Sequence, residues 1–416
     1  MNPAKTIYVY LDHLSGAAGP ALLGLLTPMF SRGKELFSFA FDKDWLQRHP
    51  TQILDPDLQF YAGPQFAPKS TFGLFMDSAP DRWGRQLMLR REAYRARQNA
   101  SSPQILHESD FLLGVYDHTR MGALRFKTDP AGNFLNDDGA MSAPPWARLR
   151  ELEEACRHLE NEEDGDQHEQ WLAMLIAPGS SLGGARPKAS VTDPQDNLWI
   201  AKFPRHQDNA NMSAWEYVTS QMARDAGICV PQTRIENYSR FGATFLAKRF
   251  DRMGTQRIHF ASAMTLLGKT EGADAHSGSS YLELAQFIVQ YGAKPQEDLR
   301  ELWTRIVFAI AVANTDDHLR NHGFLLTRSG WALSPAYDLN PNPQGNGLTL
   351  NISDTDNSLD FSLAMAVAPL FRVKADDAKD IMKTVCNVVS SWRHYASRAG
   401  ISSSEQDAMQ TAFRTK

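Results

Sequence analysis

β-branched and aromatic residues alternate along KTIYVYL at residues 5–11, the pattern of a half-buried strand. LLGLLT and ELFSFAFD continue it with Gly and Pro between, so roughly the first 65 residues read as a small β-rich unit. The pattern then changes in FGLFMDSAPDRWGRQLMLRREAYRAR. Ser78-Ala79-Pro80-Asp81 is a helix start with Pro80 near the first turn, and Trp83, Leu87 and Leu89 supply apolar positions. Its arginine-rich tail is either a solvated face or a face for a partner or phosphate. DPAGNFLNDDGAMSAPP, near residues 130–145, is rich in turn formers and marks a boundary. WARLRELEEACRHLENEEDGDQHEQWLAMLI is helical with an acidic interruption at 160–169.

Between residues 178 and 250 the order is strand, turn, strand, helix, then two more strands. The turn falls at Asp193-Pro194-Gln195-Asp196-Asn197, and Gly227 is placed to stop the helix. From residue 281 helices dominate: YLELAQFIVQYG, EDLRELWTRIVFAIAVAN, AKDIMKTVCNVVSSWRHYASRAG and SSSEQDAMQTAFR. GFLLTRSGWALSPAYD interrupts them as a hairpin across Arg328-Ser329-Gly330. A β-rich lobe is thus followed by a helical one.

ANTDDHLRNHGFLL, residues 313–326, puts two acids, two histidines and an Asn between a long apolar helix and that hairpin. Asp316 and Asn321 are five positions apart, and the second hairpin strand runs on to Asp338. Protein kinases use this order: a catalytic-loop Asp, an Asn five positions on, a hairpin and a metal-binding Asp. The first Asp must reach an acceptor hydroxyl, while the Asn and second Asp offer hard oxygens to a Mg²⁺ on the phosphates. Helix capping and turn filling by Asp316, Asp317 and Asn321 is the plainer alternative. A zinc site on His318 and His322 is the other, but HLRNH lacks the Glu of HExxH. His318 reads better as a residue that orients an acid or braces the loop.

Upstream, PGSSLGGARPKASV places small residues just before a strand, where backbone N–H groups can approach phosphates. It does not match the Walker A pattern, because Ala185 follows Gly184 where a Lys is needed, nor GxGxxG. A flexible loop is the alternative; Arg186 and Lys188 favour the phosphate reading. Lys202 in LWIAKFP is a lysine inside an apolar strand, either partnered or on an edge with its head in water. Glu216, on the next helix, is the partner a kinase would use. FLAKRFDR ends a strand where a hinge could present its backbone to adenine.

Over 416 residues the charge is −5, so no overall basic field points to nucleic acid as the direct ligand. Hydrophobic residues at 42% can fill sizeable cores, and the length suggests two or three domains. Cys156, Cys229 and Cys386 are too few and too scattered for a disulfide framework or a metal knuckle, which favours a reducing compartment. The first residues lack a signal-peptide core and no run is long enough to span a bilayer, so the cytoplasm is the expected location.

Together SSLGGARPKAS, WIAKFP, WEYVTSQMARDAGICVP, FLAKRFDR, NTDDHLRNHGFLL and LSPAYDLNP resemble the HipA family of bacterial serine/threonine-protein kinase toxins. FGLFMDSAPDRWGRQLM looks like that family's first subdomain, so the resemblance covers nearly the whole chain. It implies an α+β, two-lobed protein-kinase-like fold with a β-rich N-terminal subdomain and a mainly helical C-terminal lobe. The expected segments are an N-terminal subdomain at 1–130, a helical linker at 131–177, an N-lobe-like β region with the phosphate loop at 178–252, and a helical lobe at 253–416.

The resemblance further implies ATP and Mg²⁺ as cofactors, Asp316 as base, and Asn321 and Asp338 as metal ligands. Gly183, Gly184, Ala185, Arg186, Pro187 and Lys188 would form the phosphate loop, with Lys202 on the phosphates. Lys248, Arg249 and Phe250 would line the adenine site, and His318 would lie beside the nucleotide. Ser181, or its neighbour Ser180, would be autophosphorylated, adding about −1.5 to −2 charges and ejecting the loop. The family's targets include aminoacyl-tRNA synthetases, and its usual partner is a helix-turn-helix antitoxin of the HipB type, through which any DNA contact would mainly run. Asn314-Thr315 stands where eukaryotic kinases have His-Arg, Asn340 where they have Gly, and no Ala-Pro-Glu follows. A small-molecule kinase on this scaffold and a non-catalytic antitoxin-binding co-repressor are the alternatives.

Overall fold

The computed structural model describes residues 6–14, 18–136, 143–161, 171–172, 175, 186–205 and 208–415. The chain divides into two compact units, Met1–Arg205 with Asp251–Ala261, and His206–Phe250 with Ser262–Lys416.

The first unit opens with strands β1 (Ile7–Leu11), β2 (Ala21–Ser31), β3 (Lys34–Phe41) and β4 (Gln65–Phe66), joined later by β5 (Leu124–Lys127). They form an antiparallel sheet in the order β4-β3-β2-β1-β5. Period-two alternation buries Ile7, Val9, Leu26, Phe37, Phe39 and Phe126 on one face. Phe72 and Phe75 close that face, with the Phe75 ring centroid 5.6 Å from Phe39. The Arg82–Gln98 helix buries Trp83, Leu87 and Met88. Leu89 is exposed, because two positions beyond Leu87 is just over half a turn round a helix. The helix begins at Arg82, two residues after Pro80: Asp81 is its cap, and Oδ1 accepts from Gly84 N at 2.8 Å.

Arg120 is buried in this unit and spends its guanidinium on three carbonyls, those of Ser78, Leu112 and Val115. Nearby, Asp117 accepts from Arg125 and Arg257, while His259 is fully buried with its backbone N–H donating to His13 Nδ1 at 3.1 Å. The Met1–Arg205 part of the unit ends in the hairpin β6 (Lys188–Thr192) and β7 (Leu198–Lys202), turned by Asp193, whose Oδ1 accepts from Gln195 N and Asn197 N.

In the second unit the Met212–Asp225 helix is followed by β8 (Thr233–Ser239) and β9 (Gly242–Lys248), an antiparallel pair. Gly227 ends the helix segment at φ +87°, a conformation that favours glycine. The Pro295–Ala311 helix is the axis of the rest. Pro295 occupies the first turn with Glu297 and Asp298, both favourable at a helix N-terminus. From Leu302 to Ala311 every residue is buried, so this helix is wrapped on all sides.

A hairpin follows the axial helix. Two short hairpin strands, Arg252–Met253 and Gln256–Arg257, and a third strand, Phe260–Ser262, precede it in the chain as β10, β11 and β12. The hairpin itself is β13 (Gly323–Thr327) and β14 (Gly330–Leu333), with Leu325 opposite Ala332. Polar side chains on the axial helix hold the segment that leaves it. Asp298 Oδ2 accepts from Leu333 N at 3.0 Å, and Arg305 donates to the Ser334 carbonyl at 2.7 Å. Glu301 accepts from Cys229 N at 3.0 Å, and the Cys229 carbonyl accepts from Ala336 N at 2.7 Å. No helix among the described residues is long and apolar enough to cross a membrane.

Candidate active site

The axial helix stops because Ala313 turns left-handed, at φ +47°, and the chain leaves as an irregular loop. That loop carries Asp316, His318 and Asn321. It is pinned from several sides. Ala263 N donates to the His322 carbonyl at 2.8 Å and Met264 N to the Leu319 carbonyl at 3.2 Å. Asn342 N donates to the Ala313 carbonyl at 3.1 Å, and Thr349 Oγ1 to the Thr315 carbonyl at 2.7 Å.

The two adjacent acids take opposite environments. Asp317 is buried: Tyr281 donates its hydroxyl to Oδ2 at 2.6 Å, and His322 Nε2 lies 3.1 Å from Oδ1. The imidazole makes no well-aligned hydrogen bond there, so its contact is electrostatic. Burial opposes the Asp317 charge, yet His322, Tyr281 and His318 outweigh it and hold the pKa below the usual value. Asp317 and His322 therefore anchor the loop.

Asp316 faces solvent. Its surroundings still desolvate the carboxylate, which is the main reason its pKa is raised. His318 opposes that shift, whereas the Asp338 and Asp317 carboxylates add to it. A carboxylate poised above its ordinary pKa is a better proton acceptor.

Asn321 is buried, and its Nδ2 donates to the Asp316 carbonyl at 2.9 Å. Its Oδ1 accepts no hydrogen bond among the described residues. A buried amide oxygen left without a donor suits a cation. Asp338 follows the hairpin at φ +59°, a left-handed conformation that costs a non-glycine residue about 1–2 kcal/mol. Three contacts impose it. Thr219 on the Met212–Asp225 helix donates to the Leu339 carbonyl, Asn340 N donates to Asn314 Oδ1 at 3.2 Å, and Asn340 Nδ2 to Asp338 Oδ1 at 3.2 Å. Asp338 and Asn321 thus offer one carboxylate and one amide oxygen. Among the described residues no group of three His, Cys, Asp or Glu is arranged to hold a metal ion. Mg²⁺ shared with phosphates needs only about one or two carboxylates, so the donor set fits.

Residues 248–250 reach the same loops. Lys248 ends β9, Arg249 is buried, and the Phe250 ring centroid lies 5.7 Å from that of Tyr337. Tyr337 donates its hydroxyl to the Arg320 carbonyl at 2.6 Å, which ties the segment before Asp338 to the loop of Asp316. Glu216 is buried on the Met212–Asp225 helix.

In the first unit, Lys188 begins β6 and Lys202 ends β7, directly opposite each other. Lys202 is half-buried; Lys188 is only 2% exposed and donates from Nζ to Asp81 Oδ2 at 2.6 Å. Arg186 is half-buried and Pro187 buried, with the Pro187 carbonyl accepting from Phe203 N at 2.9 Å. Gly183, Gly184, Ala185, Ser180 and Ser181 lie outside the described residues. Sequence reasoning did not find Tyr281, Thr219 or the Asp81 contact, each of which depends on residues distant in the chain.

A family model described as HipA-like C-terminal domain matches residues 180–392, just over half of the chain. A Haemophilus influenzae protein named "Putative kinase" is 28% identical over 181 residues, 38% of this chain and 52% of that protein. An Escherichia coli K12 protein named "Toxin YjjJ" is 26% identical over 173 residues, 39% of this chain and 38% of that protein. The chain therefore spans about half or less of the length of these curated relatives. Among solved structures, the Shewanella oneidensis MR-1 toxin–antitoxin complex of HipA, HipB and operator DNA provides a likeness with TM-score 0.63 at 16% identity. It covers 98% of this chain and 94% of that one, and it carries the expected α+β, kinase-like fold.

Proposed function

The chain belongs to the family of HipA-like C-terminal domains, and on that premise we propose that it is an ATP- and Mg²⁺-dependent kinase acting on serine or threonine hydroxyls of a protein. One observation carries the reading. The exposed carboxylate of Asp316 sits on a loop whose backbone is held by Asn321, while Asn321 keeps a buried oxygen unpartnered.

In this reading Asp316 takes the proton of the acceptor hydroxyl. Asn321 and Asp338 hold Mg²⁺, which neutralises charge on the phosphates when bound. Lys202 and the backbone of the loop from Gly183 to Lys188 contact the phosphates, Lys248 to Phe250 line the adenine, and His318 lies beside the nucleotide. Ser181 or Ser180 takes a phosphate in cis and shuts the enzyme off. The protein target is a translation component such as an aminoacyl-tRNA synthetase. A HipB-type helix-turn-helix antitoxin is the partner and carries most DNA contact, as the name of the Shewanella complex supports. The work is done in the cytoplasm.

The test is transfer of radiolabelled γ-phosphate by dephosphorylated protein with Mg²⁺, wild type beside Asp316→Asn. Wild type is expected to label itself, and the variant to lose about 10²–10⁴-fold in rate. Absence of label from the wild type would overturn the reading.

A further inference from the structure

Asp81 uses both carboxylate oxygens. Oδ1 caps the Arg82–Gln98 helix through Gly84 N at 2.8 Å, and Oδ2 accepts from Lys188 Nζ at 2.6 Å. Two residues on, Trp83 donates from Nε1 to the Lys188 carbonyl at 3.1 Å. A single helix start therefore grips both the side chain and the backbone of Lys188. The ion pair is buried, with side-chain exposures of 2% for Lys188 and 1% for Asp81. Buried pairs add little stability over apolar residues of equal volume, so the consequence of this one lies in geometry.

Lys188 is opposite Lys202 in the β6–β7 register, which puts both side chains on one face of the hairpin. Two like charges placed so would repel. Asp81 neutralises one of them and commits its ammonium to a fixed direction.

We propose that Asp81, with Trp83, is a positioning residue of the nucleotide site. It fixes Lys188 and the start of β6, and leaves Lys202 as the lysine that meets phosphate. This rests on the ATP-dependent reading above. It gives the SAPDRW segment a role in nucleotide binding, although that segment lies 107 residues from Lys188 in the chain.

The experiment measures ATP affinity by calorimetry on the full chain, and adenosine affinity by displacement of a fluorescent ATP analogue. Asp81→Asn keeps an oxygen for Gly84 N and removes only the charge facing Lys188. ATP binding is expected to weaken about tenfold, while adenosine, which has no phosphates, is unchanged. A purely structural role would weaken both alike. Trp83→Phe, which deletes only the indole donor, is expected to weaken ATP about threefold and decides the matter if Asp81→Asn does not fold. Equal losses for ATP and adenosine, or no loss for ATP, would overturn the proposal alone. A wild type that binds no ATP would overturn it together with the kinase reading.

Discussion

Asn321 Nδ2 donates to the backbone carbonyl of Asp316 at 2.9 Å, so the five-residue spacing read from the sequence is the span of a loop closed on itself. The amide serves two ends. Its nitrogen fixes the Asp316 backbone, and its buried oxygen has no donor among the described residues.

Asn321→Asp separates those ends. The variant keeps an oxygen for a cation but faces the Asp316 carbonyl with an acceptor, leaving a buried conflict worth about 1–3 kcal/mol. Phosphoryl transfer is expected to fall by at least about 100-fold, and thermal unfolding to shift downward. Restored transfer at raised Mg²⁺ would mean that the Nδ2 bond does not matter.

Asp317 gives a pH dependence with a definite sign. Its folded pKa lies below the ordinary 3.8, because His322, Tyr281 and His318 outweigh the burial that opposes its charge. The stability this contributes is present above the unfolded value and is lost as pH falls through the folded one. Tyr281→Phe removes the 2.6 Å bond and should cost about 1–3 kcal/mol at pH 7. Urea unfolding at pH 7 and pH 3 should show the variant's deficit shrinking in acid. An equal deficit at both would remove Asp317 from the account.

Two histidines in the first unit act over a different window. Burial pushes His13 down to about 4 and His259 down to about 3, with His13 itself a second influence on His259. Both stay neutral in the fold while the unfolded chain takes protons near 6.5. Their stability is therefore full above about 6.5 and lost progressively as pH falls toward 4. Hydrogen exchange should show β1 and residues 257–260 losing protection across that range. His13→Asn should flatten the loss.

The order of helix, polar loop, hairpin and Asp338 was legible because each part is local. The mainly apolar stretch from Leu302 to Ala311 reads as a helix, and Arg328-Ser329-Gly330 as a turn, and both are so in the structure. The roles of Asp316 and Asp317 were less so. In the chain they are identical neighbours, and only the direction in which the loop leaves Ala313 sends one to solvent and the other to Tyr281. The partner of Lys188, Asp81, was not legible, since the contact is set by tertiary packing and no local pattern encodes it. The inner face of the Arg82–Gln98 helix was not legible for a simpler reason: the helix has too few apolar residues to define it.

The carbonyl that holds Ala336, two residues before Asp338, belongs to Cys229. Of the three cysteines, Cys156 is buried, Cys386 half-buried and Cys229 exposed. A maleimide dye or nitroxide label would therefore react first at Cys229. Placed there, it would sit on the backbone that sets the height of the Asp338 segment, and its spectrum would report that segment's movement in solution without any engineered thiol.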